Sequence, residues 1–250
     1  MMLEEQEKWD NSEALIRERL EAMKVPYDVH APKRLLQYHE LLAQWNQRMN
    51  LTGNADFDVM LNQHYTDSVA PLQRDGLFPE GASIIDVGSG AGLPGLPLAI
   101  VRPDLQMVLL DSLAKRVHFL SEVIETLGLG NVRAIHARAE DAAHQPQWRE
   151  AFHIAVARAV APLPVLCELL LPFVEVGGKM LCYKGPAAID EKEAGDAAAK
   201  LLGGAGIEWL PVELPHQPEW EHVVAVSAKE APMPVKYPRK AGVPSRQPLG

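Results

Sequence analysis

Hydrophobic positions in the first seventy or so residues recur at helical spacing. Leu15, Ile16, Leu20 and Met23 share one side of a segment that Asn11 and Ser12 are placed to cap. Pro32 suits the opening turn of a second helix, where Leu35, Tyr38, Leu42, Trp45 and Met49 recur at steps of three and four. A third helical stretch is predicted from about Asp56 to Leu72. These stripes read as core faces.

From Ala82 the period changes. Short aliphatic runs at 83–87, 107–111, 132–137, 154–157 and 179–183 predict strands, with helical patterns between them at 96–101, 114–127, 163–174 and near 191–202. Strand alternating with helix builds a mostly parallel sheet with helices on both faces. Two further strand candidates, 207–214 and 223–228, are joined only by the turn-like HQPEWEH. Such neighbours must be antiparallel, because a parallel crossover needs a dozen or more residues. An α/β sheet that is mostly parallel and ends in one antiparallel hairpin resembles the Rossmann-like class I methyltransferases rather than the dehydrogenases. No internal repeat or low-complexity segment is visible.

Composition narrows the class. The chain has 250 residues, 47% hydrophobic and 23% charged, which suits a full globular core and excludes a disordered or collagen-like chain. The expected division is a helical N-terminal part (1–75), a sheet domain (76–229) and a tail (230–250). The opening MMLEEQEKWD is too acidic and polar for a signal peptide. The greasiest stretch, 163–176, is broken by Glu168 and two prolines, which argues against a membrane span. Two cysteines, Cys167 and Cys182, make neither a disulfide framework nor a four-ligand zinc site. Both sit in apolar runs and read as inert core thiols. A soluble, cytoplasmic protein is expected.

Net charge is −9, which on the mean disfavours a polyanionic partner. The end of the chain departs from that mean. Residues 229–250 carry Lys229, Lys236, Arg239, Lys240 and Arg246 against Glu230, a net of +4, together with five prolines. This composition predicts an extended segment attached to the surface. It serves either as a solvated terminus or as a basic arm whose removal weakens RNA binding and its salt dependence.

The densest chemical signal is the run from Asp86 to Gly95, DVGSGAGLPG, between a buried strand and a helix. Gly90, Gly92 and Gly95 fit the dinucleotide pattern G-x-G-x-x-G. Asp86, Gly88, Gly90 and Gly92 fit the D-x-G-x-G-x-G loop of S-adenosylmethionine enzymes, which the early Asp and internal Pro94 favour. Asp111 ends the next strand, where an acid accepts hydrogen bonds from ribose hydroxyls of either cofactor, or caps the following helix. Glu140 and Asp141 follow the third strand, where an adenine amino group could be bound, and spacing does not choose between them. Arg158 ends the fourth strand and needs an anionic partner there. Lys184 ends the fifth, so Arg138, Arg158 and Lys184 are expected to line one rim suited to an anionic substrate. The Asp/Asn-Pro-Pro-aromatic turn of enzymes that methylate exocyclic amines is absent after the fourth strand. No His, Cys, Asp and Glu cluster has metal-ligand spacing, and no serine sits in a nucleophile elbow.

Taken in order, these residues resemble one family, the bacterial small-subunit (16S) rRNA guanine-N7 methyltransferase G, also called glucose-inhibited division protein B. The likeness is carried by Trp45-Asn46, Asn50-Leu51-Thr52, His64 with Asp67-Ser68, and residues 86–97. It continues through LDSLAKRVHFL at 110–120, residues 138–140, Arg158-Ala159 and Lys184-Gly185. The resemblance implies S-adenosylmethionine as cofactor, no metal, and transfer to N7 of a guanine in a small-subunit rRNA loop near the decoding region. By position it implies that Gly88, Leu93, Ala139, Glu140 and Arg158 contact the cofactor, and that Arg138 and Lys184 line the active-site mouth. With the residues read from the pattern, the candidate cofactor set is Asp86, Gly88, Gly90, Leu93, Asp111, Ala139, Glu140 and Arg158. The candidate catalytic set is Arg158, Lys184 and Arg138. The expected partner is small-subunit rRNA or a ribosomal particle, with no membrane, and a monomer is expected. Rival readings are a non-catalytic adaptor for cofactor and RNA, a nicotinamide dehydrogenase, and a methyltransferase acting on a small molecule or protein. The HxxDS segment either lines the substrate side or ties the helices to the sheet.

Overall fold

A computed structural model describes residues 2–158 and 161–250, with side chains from residue 6 onward. The aliphatic runs form seven strands: β1 (Ser83–Val87), β2 (Gln106–Asp111), β3 (Val132–His136), β4 (Phe152–Arg158), β5 (Val174–Lys184), β6 (Glu208–Pro211) and β7 (Val223–Ala228). They make one sheet in the order β3-β2-β1-β4-β5-β7-β6. β1 to β5 are parallel, with Val87 beside Leu110, Ile85 beside Ala155 and Ala157 beside Cys182. β7 runs antiparallel to both β5 and β6, so the sheet ends in the expected hairpin. The chain builds outward from β1 to β3 and then returns to place β4 on the other side of β1. Such a reversal opens a crevice at the carboxyl ends of the strands.

Period-two alternation sorts the strand residues between two cores. Ile84, Leu109, Val156 and Leu181 point into one, packed with Leu96, Leu98 and Phe119. Ile85, Val108, Ala155 and Cys182 point into the other, packed with Leu166, Leu170 and Ala199. Ile16, Tyr38 and Leu42 of the N-terminal helices Met2–Ala22 and Ala31–Asn46 belong to the first core. The amino-terminal helices are therefore packed into the sheet domain's own core.

Several boundaries differ from the pattern. The first helix starts at Met2 and passes through Asn11 and Ser12, because the Glu, Gln, Lys and Leu residues before them sustain a helix. The predicted helix 163–174 stops at Leu170, and Pro172 lies in the tight turn Leu171–Phe173 before β5 begins at Val174. The third helical stretch is composite: Asp56 caps the turn Phe57–Val59, a π-helical segment spans Met60–Tyr65, and Thr66–Val69 returns to α geometry. Ala159, part of the segment after β4, lies outside the described residues.

The tail is folded onto the body. Met233, Tyr237 and Pro244 are buried. The Lys229 ammonium is wholly enclosed and donates to the Leu171 and Leu202 carbonyl oxygens, with Glu150 3.4 Å away. Arg239 grips the carboxylate of Glu168, which is fully buried, through its Nη2 at 2.6 Å and its Nε at 2.9 Å. Two of the five cations expected on a free basic arm are thus consumed inside the fold.

Candidate active site

The glycine run follows β1 and bends across the carboxyl edge of the sheet. Asp86 lies beneath it, fully buried, and its Oδ2 accepts the Gly95 N–H at 3.0 Å. A Cβ at Gly95 would fall 2.7 Å from that oxygen, so only glycine lets the helix Gly95–Val101 start this close to β1. Burial raises the Asp86 carboxyl to about 7. Asp86 lines none of the cavities described below, so it supports the loop from behind. It was expected to touch cofactor; of the eight expected contacts it alone lines none of these cavities.

Asp111, at the end of β2, holds the same loop from the other side. Its Oδ2 accepts the Gly90 N–H at 2.9 Å and lies 3.5 Å from Arg116, while Oδ1 accepts the Leu113 N–H at 2.8 Å. The capping and loop-holding roles coexist, and each carboxylate oxygen has a second lone pair for a ligand hydroxyl. The buried Tyr38 hydroxyl donates to the Ala91 carbonyl at 2.6 Å, which ties the second helix to the loop. Asn46 accepts the Leu51 and Thr52 N–H groups at 2.8 and 3.0 Å and shapes a neighbouring turn.

Two hollows open around this loop. One, of about 390 Å³, is bounded by Gly88 to Ala91, Leu93, Asp111, Ser112, Leu51, Thr52, His64 and Arg158. A recess of about 180 Å³ adjoins it, sharing Gly88 and Ser112 and reaching Ala139 and Glu140. Gly88, Gly90, Leu93, Asp111, Ala139, Glu140 and Arg158, seven of the expected cofactor contacts, line these two adjoining hollows. An acid at a strand end, a glycine backbone turn and a recess beyond suit a nucleoside cofactor with a charged tail. Arg138 also borders the recess.

A third cavity, of about 520 Å³, lies over the ends of β4 and β5. The composite helix contributes Gln63, His64 and Asp67, the strands contribute Arg158 and Lys184, and the loop before β7 contributes Trp220 and His222. The π-helical turn aims His64 and Asp67 together at the sheet. Asp67, 1% exposed, accepts from Arg158 at 3.3 Å and faces His222 Nδ1 at 3.1 Å. Arg158 also reaches the His64 carbonyl, and the Tyr183 hydroxyl donates to the Ser68 carbonyl at 2.8 Å. The HxxDS segment therefore both ties the helices to the sheet and lines this cavity. Lys184 is paired with Glu191 at 2.9 Å and donates to the Ala161 carbonyl at 3.2 Å. Trp220 and His222 lie against each other, with ring centroids 4.2 Å apart and planes tilted by 41°. Burial and the Arg158 charge lower His64 to about 4, so its imidazole is neutral at ordinary pH.

His64 and Arg158 border both the loop cavity and the cavity over β4 and β5. Arg158 and Lys184 do share a rim, as expected. Arg138 does not. It borders the recess beyond β3, half-exposed and 3.8 Å from Glu140. Sequence reasoning missed Gln63, Trp220 and His222. The paired aromatic residues within the short HQPEWEH link were the available signal. Cys167 and Cys182 are free and buried, and burial pushes the Cys182 thiol up to about 12, so both are inert. Among the described residues, no group of three or more His, Cys, Asp or Glu is placed to hold a metal, and no helix is long and apolar enough to cross a membrane.

The family model GidB, rRNA small subunit methyltransferase G, matches residues 32–210. A ribosomal RNA small subunit methyltransferase G from Alkaliphilus oremlandii (strain OhILAs) is 46% identical over 217 residues, covering 86% of this chain and 90% of the relative. One of the same name from Alkaliphilus metalliredigens (strain QYMF) is 41% identical over 238 residues, 95% and 99% of the two chains. Among solved structures, a predicted O-methyltransferase from Agrobacterium tumefaciens matches with a TM-score of 0.50 at 17% identity, covering 60% of this chain and 75% of that one. At that identity the likeness speaks for the class I methyltransferase sheet alone.

Proposed function

The chain belongs to the rRNA small subunit methyltransferase G family, and we propose that it methylates N7 of a guanine in a small-subunit rRNA loop near the decoding region. The observation that carries this reading is the shared wall of His64 and Arg158 between the loop cavity and the cavity over β4 and β5. One side suits a cofactor and the other a base, and they meet where a methyl group would cross. S-adenosylmethionine, the family's cofactor, supplies an electrophilic methyl when bound. Asp111 would hold its ribose, the backbone from Gly88 to Leu93 its amino-acid side, and the recess at Ala139 and Glu140 its adenine.

Guanine N7 has an in-plane lone pair and no proton to lose, so no side chain is asked to act as a base. The residues at the shared wall fit that requirement. His64 stays neutral, and the Arg158 charge is offset by Asp67. Methylation at N7 leaves positive charge on the purine, and a neutral wall avoids repelling it. The remaining task is orientation, which can supply roughly 7–11 kcal/mol of the barrier. A base read in this cavity must leave its stack, and Trp220 with His222 offers an aromatic surface to receive it. Lys184, its charge offset by Glu191, lines the same pocket beside Arg158.

The test is transfer of labelled methyl from S-adenosylmethionine to small-subunit particles lacking the modification and to protein-free rRNA. Label in small-subunit rRNA is the expected result, and the better of the two substrates places the enzyme before or after assembly. Cofactor binding without transfer to either substrate would favour the adaptor reading.

A further inference from the structure

The tail passes over the adenine end of the cofactor space. Arg239 anchors it on the buried Glu168 and reaches forward to the Gln247 carbonyl at 2.7 Å, closing residues 239–247 into a loop. Upstream, Arg149 donates to the Tyr237 carbonyl at 2.9 Å, and His144 Nε2 lies 2.9 Å from the Pro238 carbonyl oxygen. From that clamp the Gly242 N–H donates to Glu140 Oε1 at 2.8 Å. Ser245 completes the wall of the recess, facing Val87, Leu110 and Ala139. Glu140 is itself 7% exposed, and the Gly242 N–H fixes one of its oxygens.

Resting on the reading of this recess as the adenine end of the S-adenosylmethionine site, we infer that residues 239–247 form the outer wall of that site. Gly242 and Ser245 are its positioning residues. The tail thus serves cofactor binding. A purine gains little from a groove open to water, and most of its face is apolar, so enclosure strengthens its binding. A main-chain N–H on Glu140 also holds the carboxylate in one orientation. The two cations nearest the body are spent as anchors, which is the opposite of what a phosphate-seeking arm needs.

The experiment measures binding of S-adenosylhomocysteine by calorimetry to the full chain, to a chain ending at residue 241, and to Ser245→Trp. The truncation keeps the Arg239–Glu168 pair. Ser245 is exposed, so its replacement leaves the core intact while filling the recess. Both variants are expected to bind at least tenfold more weakly, with far-UV circular dichroism unchanged and rRNA affinity within twofold of the full chain. Should the truncated chain fail to fold, Ser245→Trp decides alone. Unchanged cofactor affinity in a folded variant overturns the inference, as does tighter binding, which would make the tail an obstruction. Loss of rRNA affinity with cofactor affinity intact overturns it in favour of an RNA arm. If the full chain binds no S-adenosylhomocysteine, the cofactor reading falls and this inference falls with it.

Discussion

The two ends of the crevice are built by different rules. The cofactor end is made mostly from one continuous stretch, β1 with its glycine loop, completed by the ends of β2 and β3. Its acids are held by backbone N–H groups: Asp86 Oδ2 accepts from Gly95, and Asp111 accepts from Gly90 and Leu113. The base end joins four segments far apart in sequence, and its charged groups meet in side-chain ion pairs, Asp67 with Arg158 and Lys184 with Glu191. A loop held by backbone contacts tolerates a local change and alters one ligand contact. A network of buried side-chain charges transmits the loss of any member to the rest. The difference predicts which substitutions act on cofactor, which on RNA, and which on the fold.

The sharpest break is expected from Arg158→Ala, which removes the wall common to both cavities. Methyl transfer should fall on the order of 100-fold, the penalty typical of lost alignment. The same change leaves buried Asp67 with only His222 as a side-chain partner and should cost about 3 kcal/mol of stability. Adding Asp67→Asn should restore much of the stability without restoring transfer, measured by thermal melts and single-turnover rates. A double variant that regained transfer would make Arg158 purely structural. Asp111→Asn comes next, with roughly a tenfold rise in cofactor KM from weakening a charged hydrogen bond and no change in rRNA KM. Lys184→Ala should do the converse, with transfer down about tenfold at limiting rRNA and the cofactor KM unmoved. Effects on both KM values in either variant would erase the division between the ends.

Two pH measurements sharpen the comparison with smaller effects. Asp86 carries a carboxyl raised to about 7 by burial. Between roughly pH 4 and pH 7 the folded chain keeps a proton that the unfolded chain has released, so this group's contribution to stability falls as pH rises through that window and is level above it. Asp86→Asn should therefore flatten the decline of Tm between pH 5 and 7. His64, lowered to about 4, should add no inflection to the rate of transfer between pH 6 and 9. An inflection near 6.5 that His64→Asn abolished would give the imidazole a proton-transfer role.

The same contrast explains what could be read from the sequence. The cofactor end was legible because its residues follow one another and because strand ends are where ligands sit in such sheets. Asp111, Arg158 and Lys184 were placed by that rule, which left Glu140 and Asp141 unseparated. Arg138 shows its limit. The rule places every strand end at the crevice but not in which cavity, since that depends on strand order. β3 and β5 stand four strand spacings apart, roughly 19 Å, so Arg138 and Lys184 cannot share a rim. His64 and Asp67 were visible as a motif, yet their direction depends on a π-helical turn that hydrophobic spacing does not reveal. Trp220 and His222 sit in a link whose prolines and polar residues read as a turn. The tail's composition pointed to an extended, surface-attached segment and left a solvated terminus or a basic arm open, because net charge does not disclose a buried partner such as Glu168.

The central claim is that the two cavities meet to methylate guanine N7. Its most direct test is nucleoside mass spectrometry of small-subunit rRNA after reaction with the enzyme and S-adenosylmethionine. One new 7-methylguanosine is expected, confined to a loop near the decoding region and lost with Arg158→Ala. A methyl group found on an exocyclic amine, a ribose or a pyrimidine carbon would contradict it.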